Sequence, residues 1–499
     1  MPLIKLLLHF LSNHNYGVHR DEFLYRAMGD HLAWGYLEVP PLIALLARIS
    51  SWLGDSLFAL RLFPALAGAL LVLLSGLLTR ELGGRRFAQV LAMLAVIIAP
   101  VFLRAHTLFQ PVAFDQLAWL AGVYLLVLLL REPERRKWWL YLGAVLGVGL
   151  LNKYAMLFFG FGLTVGLLIG AERKWLRTSG PWLAALLALA IFLPNLLWQI
   201  KHGWPVFEHI AKLNLQQLDR QPRSTILLEL LLIHHPFNAL IWLSGIGFFF
   251  FSKAGRPYRL LGWIYLVILL VMLLLRGKAY YLSPAYPMLF AGGAVLLERF
   301  IQGRGWYWLK PALITIMLLQ GILIAPYGLP ILPQKSLESY VQFMAQYAGL
   351  DAPLRTNRGE LGKLPQDYAD MFGWPEQVET IAGVYNSLSE AEREKCVLLA
   401  GNYGEAGAID YYGPRLGLPR AVSIHSSYYL WGPGEKPGEI AIAIGLPLEA
   451  LTEYYRSVRR QALITNGYAV AEENNVPVYL CRGQKKTLQE AWGELRKWR

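Results

Sequence analysis

The chain has 499 residues, of which 55% are hydrophobic and only 16% are charged, whereas a soluble domain carries about 25% charged residues. With a mean hydropathy of +0.37, this composition excludes an ordinary soluble enzyme and predicts an integral membrane protein. The net charge of +13 is explained by Lys and Arg in cytoplasmic loops and at lipid headgroups, because no zinc-finger spacing or basic stretch with interleaved aromatics indicates nucleic-acid binding.

The membrane part is predicted from a series of apolar runs. They cover residues 2–12, 58–79, 87–103, 114–130, 139–151, 155–170, 181–200, 231–252, 260–275, 280–298 and 311–330. A crossing helix needs about 20 apolar residues, so residues 2–12 are short for a span. The pattern predicts a polytopic α-helical membrane domain over residues 1–330 with about 11 transmembrane helices.

A polar segment, residues 13–57, follows the first run and contains "HRDEFLYRAMGDHLAWGYLEVPPLIALL". If residues 21–34 are helical, Leu24, Met28 and Leu32 lie on one stripe, as in an amphipathic helix at the outer interface. "VPPL" predicts a second short helix. Asp21 and Glu22 lie at the start of the first one. N-capping and the helix dipole explain both carboxylates structurally, and a catalytic role is the alternative.

The loops between the apolar runs differ strongly in charge. "RELGGRR", "REPERRK", "ERKWLR", "KAGRPYR" and "RFIQGRGWYWLK" are short and basic, so they are predicted to face the cytoplasm. Alternation of the spans then places residues 13–57, "RAHTLFQPVAF", "NKY", "RGKAYY" and the chain after residue 331 on the outer side.

Three further polar positions lie on that outer side. Asp115 begins the run "FDQLAWLAGVYLL", where an N-cap is the structural alternative. Lys153 lies in "LLNKYAML", and Lys278 precedes Tyr281 in "RGKAYYLSPAYP". Lysine binds phosphate as a point charge, so these residues predict a phosphate site. Lysines that snorkel to headgroups and an aromatic belt are the alternative.

A metal site is a weaker hypothesis. His234 and His235 in "IHHPFNALIW" lie at the outer end of a run and could bind a metal together with Glu38. No pair of histidines is spaced i, i+4 for zinc. A capping or interfacial role is therefore favoured for both.

Residues 331–499 have an ordinary soluble composition and predict a separate domain. Helices near 375–394 and 448–463 alternate with the strands "CVLLAGNY", "AVSIHSS", "EIAIAIGLP" and "VPVYLCRG", which predicts an α/β fold. "GNYGEAGAID" resembles a phosphate loop only weakly, because it lacks the Lys-Ser/Thr pair and the full G-x-G-x-x-G pattern. Cys396 and Cys481 are either two buried thiols or one bridge.

Four motifs together resemble those of a known superfamily. They are "RDEFLYRAMGDHLAWGYLEVPPLIALL", "PVAFDQLAW", "KAYYLSPAYP" and the "HP" of "IHHPFNALIW". The order is similar to that in the GT-C glycosyltransferases that use polyprenyl-phosphate sugars, such as protein O-mannosyltransferases and bacterial aminoarabinose transferases of lipid A. Val39 stands where the latter have a Lys beside the Pro-Pro pair.

The resemblance implies a function and roles for the residues. It implies an inverting transferase that moves a sugar from a polyprenyl-phosphate donor to a hydroxyl of a lipid, glycan or protein. The implied catalytic residues are Asp21, Glu22 and Asp115. Asp21 is the implied base, Glu22 is its partner in the Asp-Glu pair, and Asp115 would orient the acceptor or share the base role. The donor phosphate would be bound by a group of cations and a phenol, namely Lys153, Lys278 and Tyr281.

Other expectations complete this hypothesis. The protein is expected in a bacterial cytoplasmic membrane, with its C-terminal domain outside the cytoplasm. No organic cofactor is implied, a divalent cation is left open, and nucleic acid is not a partner. The rival functions are a flippase or transporter of a polyprenyl-linked lipid and a scaffold whose C-terminal domain binds a cell-envelope partner.

Overall fold

A computed structural model describes residues 1–213, 225–356 and 361–495. The chain divides into two compact units. The first unit comprises Met1–Asn13, Val39–Ile43 and Leu53–Ile331, and the second comprises His14–Glu38, Ala44–Trp52 and Leu332–Arg499.

The helices and strands are as follows, in chain order. The α-helices that begin before residue 331 are α1 Pro2–Ser12, α2 Arg20–Asp30, α3 Leu42–Trp52, α4 Leu57–Glu81, α5 Arg86–Ile98, α6 Pro100–Thr107, α7 Pro111–Arg131, α8 Arg136–Asn152, α9 Met156–Ile169, α10 Ser179–Lys201, α11 Pro205–Leu213, α12 Thr225–Ile233, α13 Ala239–Phe251, α14 Arg259–Leu274, α15 Tyr286–Arg304 and α16 Leu309–Ile324. The later ones are α17 Gln334–Ala348, α18 Gln366–Ala369, α19 Trp374–Asn386, α20 Glu390–Lys395, α21 Tyr403–Tyr412, α22 Tyr428–Trp431, α23 Leu448–Tyr454 and α24 Leu488–Leu495. The strands are β1 Cys396–Ala400, β2 Ala421–Ser423, β3 Ile440–Ile444, β4 Tyr455–Ile464 and β5 Val476–Gln484.

The first unit is helical and confirms a membrane protein with several spans. Among the described residues, five helices are long and apolar enough to cross a membrane, and counting three bent pairs as single spans raises the number to eight. The predicted number is about 11 transmembrane helices. Counted by length and composition, the helices of the described residues give fewer spans than that. Shorter apolar runs form helices such as α1, with 11 residues, and α8, with 17 residues, which fall below the length of a full span.

The bends of the three helix pairs have local causes. Between α5 and α6 the axis turns by 63° at Ala99, which is extended because Pro100 follows it. Between α12 and α13 it turns by 100°, where His235 has a φ of +73° and precedes Pro236. The third bend, of 105°, lies at the extended Gly170, between α9 and a 3₁₀ helix, Ala171–Arg177. The core of the unit is built by buried apolar residues of α4, α5, α7 and α13–α15.

The second unit contains a five-stranded sheet in the order β2-β1-β3-β5-β4. Strands β2, β1 and β3 are parallel, whereas β5 and β4 pair antiparallel to their neighbours. This confirms the predicted α/β architecture. Cys396 on β1 and Cys481 on β5 are buried free thiols, on strands separated by β3.

One predicted helix, residues 448–463, is wrong over most of its length. Its beginning forms α23, but the chain then enters strand β4, which pairs with β5 over almost its whole length. β4 is an edge strand and its middle is largely exposed. The polar residues of "RSVRRQALI" are therefore compatible with a strand, and the pairing with β5 selects it over a helix.

Helix α2 belongs to the second unit rather than standing alone. Its predicted range of 21–34 is shortened, because it ends at Asp30, and Leu32 lies beyond it and is 54% exposed. The predicted apolar stripe is buried, with Leu24 3% and Met28 0% exposed. Helix α2 packs against α21 of the C-terminal region, so this stripe contacts protein.

The contact between α2 and α21 depends on a glycine. A Cβ atom added at Gly407 would lie 2.4 Å from Cβ of Phe23 and 3.1 Å from the carbonyl carbon of the same residue. The first is the side-chain atom attached to the backbone and the second is a backbone atom, so rotation of the Phe23 side chain cannot relieve the overlap. The two helices can approach this closely only because position 407 has no side chain.

We therefore expect Gly407→Ala to destabilise the second unit by about 1–3 kcal/mol, as overpacking does. Gly383→Ala is the matched control. Gly383 also lies inside a helix, α19, but an added Cβ there meets no atom within 4 Å. The control variant should be more stable than the wild type by about 0.5–1 kcal/mol, because alanine is more favourable than glycine inside a helix. Unfolding followed by tryptophan fluorescence checks both, and equal midpoints for the two variants would contradict the packing argument.

Candidate functional site

The first turn of α2 is capped by residues other than Asp21. The N-cap is His19, whose Nδ1 accepts a hydrogen bond from the backbone N–H of Asp21 at 3.1 Å. Glu22 completes a capping box, because its Oε2 accepts the backbone N–H of His19 at 2.9 Å. The structural alternative of capping therefore applies to Glu22, which is fully buried, and does not apply to the side chain of Asp21.

The side chain of Asp21 contacts the C-terminal region instead. The hydroxyl group of Tyr403, at the start of α21, donates a hydrogen bond to Oδ1 of Asp21 with a length of 2.7 Å. The guanidinium group of Arg20 lies 5.9 Å from the centre of the Tyr403 ring. Its Nε lies 3.4 Å from Oδ1 of Asp370, and its backbone N–H donates to the carbonyl oxygen of the same residue. Asp21 thus lies in a network of charged and polar groups within the second unit.

The pKa values of this network follow from burial and charge. Burial and then the negative charge of Asp21 raise the pKa of the Tyr403 phenol well above its usual value. This phenol therefore stays protonated, and it remains a donor, at physiological pH. Burial also raises the pKa of Asp370, an effect that the positive charge of Arg20 opposes.

The predicted resemblance of "GNYGEAGAID" to a phosphate loop receives no support from the geometry. Asn402 caps α21, and its Oδ1 accepts the backbone N–H groups of Gly404 and Glu405. The carboxylate of Glu405 accepts the N–H groups of Gly401 and Asn402, at 2.8 and 3.1 Å. The N–H groups that would bind a phosphate are thus already used, and a carboxylate occupies the place of the anion.

Asp115 lies in the first unit, within the candidate span α7. The helix begins at Pro111 and its N-cap is Gln110, so Asp115 is not an N-cap residue, and that alternative is wrong. Its side chain is buried, and among the described residues its Oδ1 has no hydrogen-bond partner. A buried acid in a span with an unpaired oxygen is a position that capping does not explain.

Lys153 and the tyrosines after Lys278 lie together in the first unit. Lys153 follows α8, and its Nζ lies 5.2 Å from the ring centre of Tyr280 and 5.0 Å from that of Tyr281. It also interacts electrostatically with Asp115, which attracts it, and with Arg104, which repels it. Cations, phenols and an acid from distant parts of the chain therefore share one region.

Two further cations are related to these residues: Lys278 precedes Tyr280 by two positions in the chain, and Arg104 acts electrostatically on Lys153. Lys278 is half-buried and is the residue before a 3₁₀ helix, Ala279–Ala285. Arg104 lies on α6 and is also half-buried. The sequence interpretation overlooked Arg104, although it lies in the outer segment "RAHTLFQPVAF", where an arginine near a candidate acid is a usable signal.

The two histidines fill structural positions. His234 is fully buried, stacks on Tyr286 with ring centres 3.4 Å apart, and its Nδ1 lies 2.8 Å from the carbonyl oxygen of Leu230. His235 accepts the backbone N–H of Phe237 at the start of a 3₁₀ turn. Across residues 1–213, 225–356 and 361–495, no group of three or more His, Cys, Asp or Glu is arranged to hold a metal ion.

Glu38, the third residue of the metal hypothesis, has other partners. In the second unit its two carboxylate oxygens accept the backbone N–H of Ser427 at 3.0 Å and the hydroxyl group of the same residue at 2.5 Å. It therefore holds the segment after β2. Neither histidine belongs to the unit that contains Glu38.

Comparisons with known proteins identify the fold. A family model described as dolichyl-phosphate-mannose-protein mannosyltransferase matches residues 38–198. The structure of ArnT from Cupriavidus metallidurans bound to undecaprenyl phosphate is similar, with a TM-score of 0.62 and 16% identity, over 96% of each chain. The apo state of the same protein gives the same values.

A second relative is more distant. An oligosaccharyltransferase from Archaeoglobus fulgidus in complex with Zn and sulfate has a TM-score of 0.50 and 13% identity, over 89% of this chain and 68% of that one. The search of curated proteins found no significant match. The resemblance predicted from the motifs is confirmed as a likeness: residues 38–198 match the mannosyltransferase family model, and the fold is similar to that of ArnT.

Proposed function

We propose that this multi-pass membrane protein with a GT-C glycosyltransferase fold transfers a sugar from a polyprenyl-phosphate donor to a hydroxyl group of a lipid, glycan or protein. The position of Asp21 is the observation that carries the proposal. It is an acid in the second helical position of α2 that does not cap the helix and whose carboxylate is held by a tyrosine hydroxyl. The solved relative bound to undecaprenyl phosphate supports the class of donor.

In the proposed reaction, Asp21 takes the proton of the acceptor hydroxyl group as its oxygen attacks the anomeric carbon. A new carbon–oxygen bond forms, and the bond between the anomeric carbon and the phosphate oxygen breaks. Polyprenyl phosphate leaves with the bonding electrons, and the configuration of the anomeric carbon inverts. Glu22 shapes the turn that carries Asp21, and Asp115 orients the acceptor or shares the role of the base.

Charge develops on the phosphate oxygen as the donor bond breaks. Fixed cations and hydroxyl donors stabilise such charge, and we assign this role to Lys153, Lys278 and Tyr281. The contacts of Lys153 with Tyr280 and Tyr281 support this assignment. Arg104 is a further cation of the same region.

The proposed location is the outer face of a bacterial cytoplasmic membrane. The short basic loops support this orientation through the positive-inside rule. Residues 1–330 would form the membrane domain, and residues 331–499 would lie outside the cytoplasm. The first 57 residues contribute to both units, since α2 clusters with the C-terminal region.

The test uses the full chain, purified in detergent, with polyprenyl-phosphate hexoses and pentoses that carry a radioactive sugar. A membrane extract supplies the acceptor. We expect label to leave the lipid and to appear in the acceptor fraction with the wild type. If none of these donors loses its label, glycosyl transfer from this class of donor is contradicted.

A lipid transporter is the second candidate, and the buried Asp115 within a span favours it. The same purified protein is reconstituted in liposomes with a fluorescent polyprenyl phosphate. Movement of the lipid between leaflets without sugar transfer would favour the transporter. Transfer in detergent with no movement in liposomes would favour the enzyme.

A further inference from the structure

The helix that carries Asp21 is held by the C-terminal region on both sides of this residue. On one side, Phe23 is 1% exposed, and its ring packs against those of Trp374, Tyr411 and Tyr412, with centres 5.5–6.0 Å apart. On the other, the backbone N–H of Arg20 donates to the carbonyl oxygen of Asp370. The backbone around Asp21 is therefore fixed by residues more than 300 positions later in the chain.

Packing fixes a helix, but it does not fix the direction of a carboxylate. An aspartate side chain retains two torsion angles, and its last torsion is broad. The hydrogen bond from Tyr403 to Oδ1 restricts this torsion. Its length of 2.7 Å is that of a well-formed hydrogen bond from a hydroxyl group.

Tyr403 is itself well placed to act as a fixed donor. It is the first residue of α21, the helix that packs on α2 through Gly407. Its ring contacts that of His425, with centres 5.4 Å apart, and lies under Arg20. The phenol stays protonated, because burial and the charge of Asp21 raise its pKa.

We propose that Tyr403 is a positioning residue for Asp21: its hydroxyl group holds the carboxylate in the orientation that accepts the proton of the acceptor. This inference rests on the proposed function. It also gives the C-terminal domain a role in the reaction, since that domain supplies the tyrosine hydroxyl group that donates the hydrogen bond to Asp21. The reason is geometric, because a general base acts only when it is within hydrogen-bond reach of the proton.

The test compares Tyr403→Phe with the wild type in the transfer assay. The variant keeps the aromatic ring and removes only the hydroxyl group that donates the hydrogen bond to Asp21. We expect kcat to fall about 10- to 100-fold, the effect of a misplaced catalytic group, with the KM for the donor lipid within about twofold of the wild-type value because only the transition state is affected. The unfolding midpoint is measured on the same preparation.

Tyr455→Phe is the matched control. Its hydroxyl group is buried in the same unit and donates a hydrogen bond of 3.0 Å to the carbonyl oxygen of Gly438, away from Asp21. This variant should lose stability and keep kcat. A merely structural role of Tyr403 predicts the same behaviour for both variants.

Two results would overturn the inference. One is a kcat for Tyr403→Phe within about twofold of the wild-type value, which is too small for a misplaced base. The other is an equal loss of kcat in the Tyr455→Phe control. If the wild type transfers no sugar from any donor, the proposed function fails and this inference fails with it, so the two failures are distinguished by the wild-type assay.

Discussion

Asp21→Asn should lower the rate of sugar transfer by about 100- to 10,000-fold, which is the range for removal of a general base. The amide has nearly the shape of the carboxylate, but it cannot take a proton from the acceptor. Its oxygen can still accept the hydrogen bond from Tyr403. The helix start should also be preserved, because His19 and Glu22 form the cap.

The matched control is Asp30→Asn, which makes the same chemical change at the other end of α2. Asp30 pairs with Arg26, Arg48 and Arg420 at distances of 3.4–3.7 Å. These pairs are partly exposed and should contribute little, so transfer should stay close to the wild-type rate. Both variants are assayed for turnover and for the unfolding midpoint. Transfer by Asp21→Asn at a normal rate would remove Asp21 from the role of base.

Lys153→Met should lower kcat/KM for the donor lipid by about 100- to 1,000-fold, the loss found when one group that stabilises developing charge is removed. Methionine retains much of the apolar stem that packs near Tyr280 and Tyr281. It removes the charge that would meet the leaving phosphate. Lys153→Arg keeps a cation and should retain more activity than Lys153→Met.

Lys201→Met is the control for this change. Lys201 is the exposed last residue of α10, and losing its charge should leave transfer unchanged. Binding of labelled polyprenyl phosphate without the sugar provides a second measurement. If Lys153→Met binds the lipid phosphate and transfers the sugar as well as Lys201→Met does, Lys153 is not part of the phosphate site.

These contacts are the basis of the role that we propose for the C-terminal domain. A scaffold that binds an envelope partner would need only its outer surface. Here Tyr403, Trp374 and Gly407 lie against the helix that carries the proposed base. We therefore expect the domain to act in the reaction itself, and the Tyr403→Phe experiment distinguishes this role from a separable partner-binding role.

The class of the protein was predictable from the sequence, because it depends on local composition. Long apolar runs can satisfy their backbone only as helices in a membrane, and the first unit has such helices. Strands such as β1 and β3 were predictable as well, since short apolar runs between turn signals form buried strands. The four motifs in their order predicted a resemblance to the GT-C glycosyltransferases, and the fold is similar to that of ArnT.

Local patterns were insufficient where two conformations suit the same residues. The segment "RSVRRQALI" was predicted as helix, yet it forms the strand β4 because β5 offers an edge to pair with. Bends at Pro100 and Pro236 divide apolar runs that hydropathy counts as single spans. Neighbours in space decided the first case, and local backbone geometry decided the second.

The sequence by itself determined that this is a multi-span membrane protein with a C-terminal α/β domain and with acids and lysines in a recognisable order. Only the tertiary structure decided what those residues contact. The hydrogen bond between Asp21 and Tyr403 joins positions 382 residues apart, and Lys153 meets tyrosines from a different part of the chain. The physical reason is that periodicity and capping are local, whereas a carboxylate or an ammonium group takes its partners from whichever elements the fold places beside it.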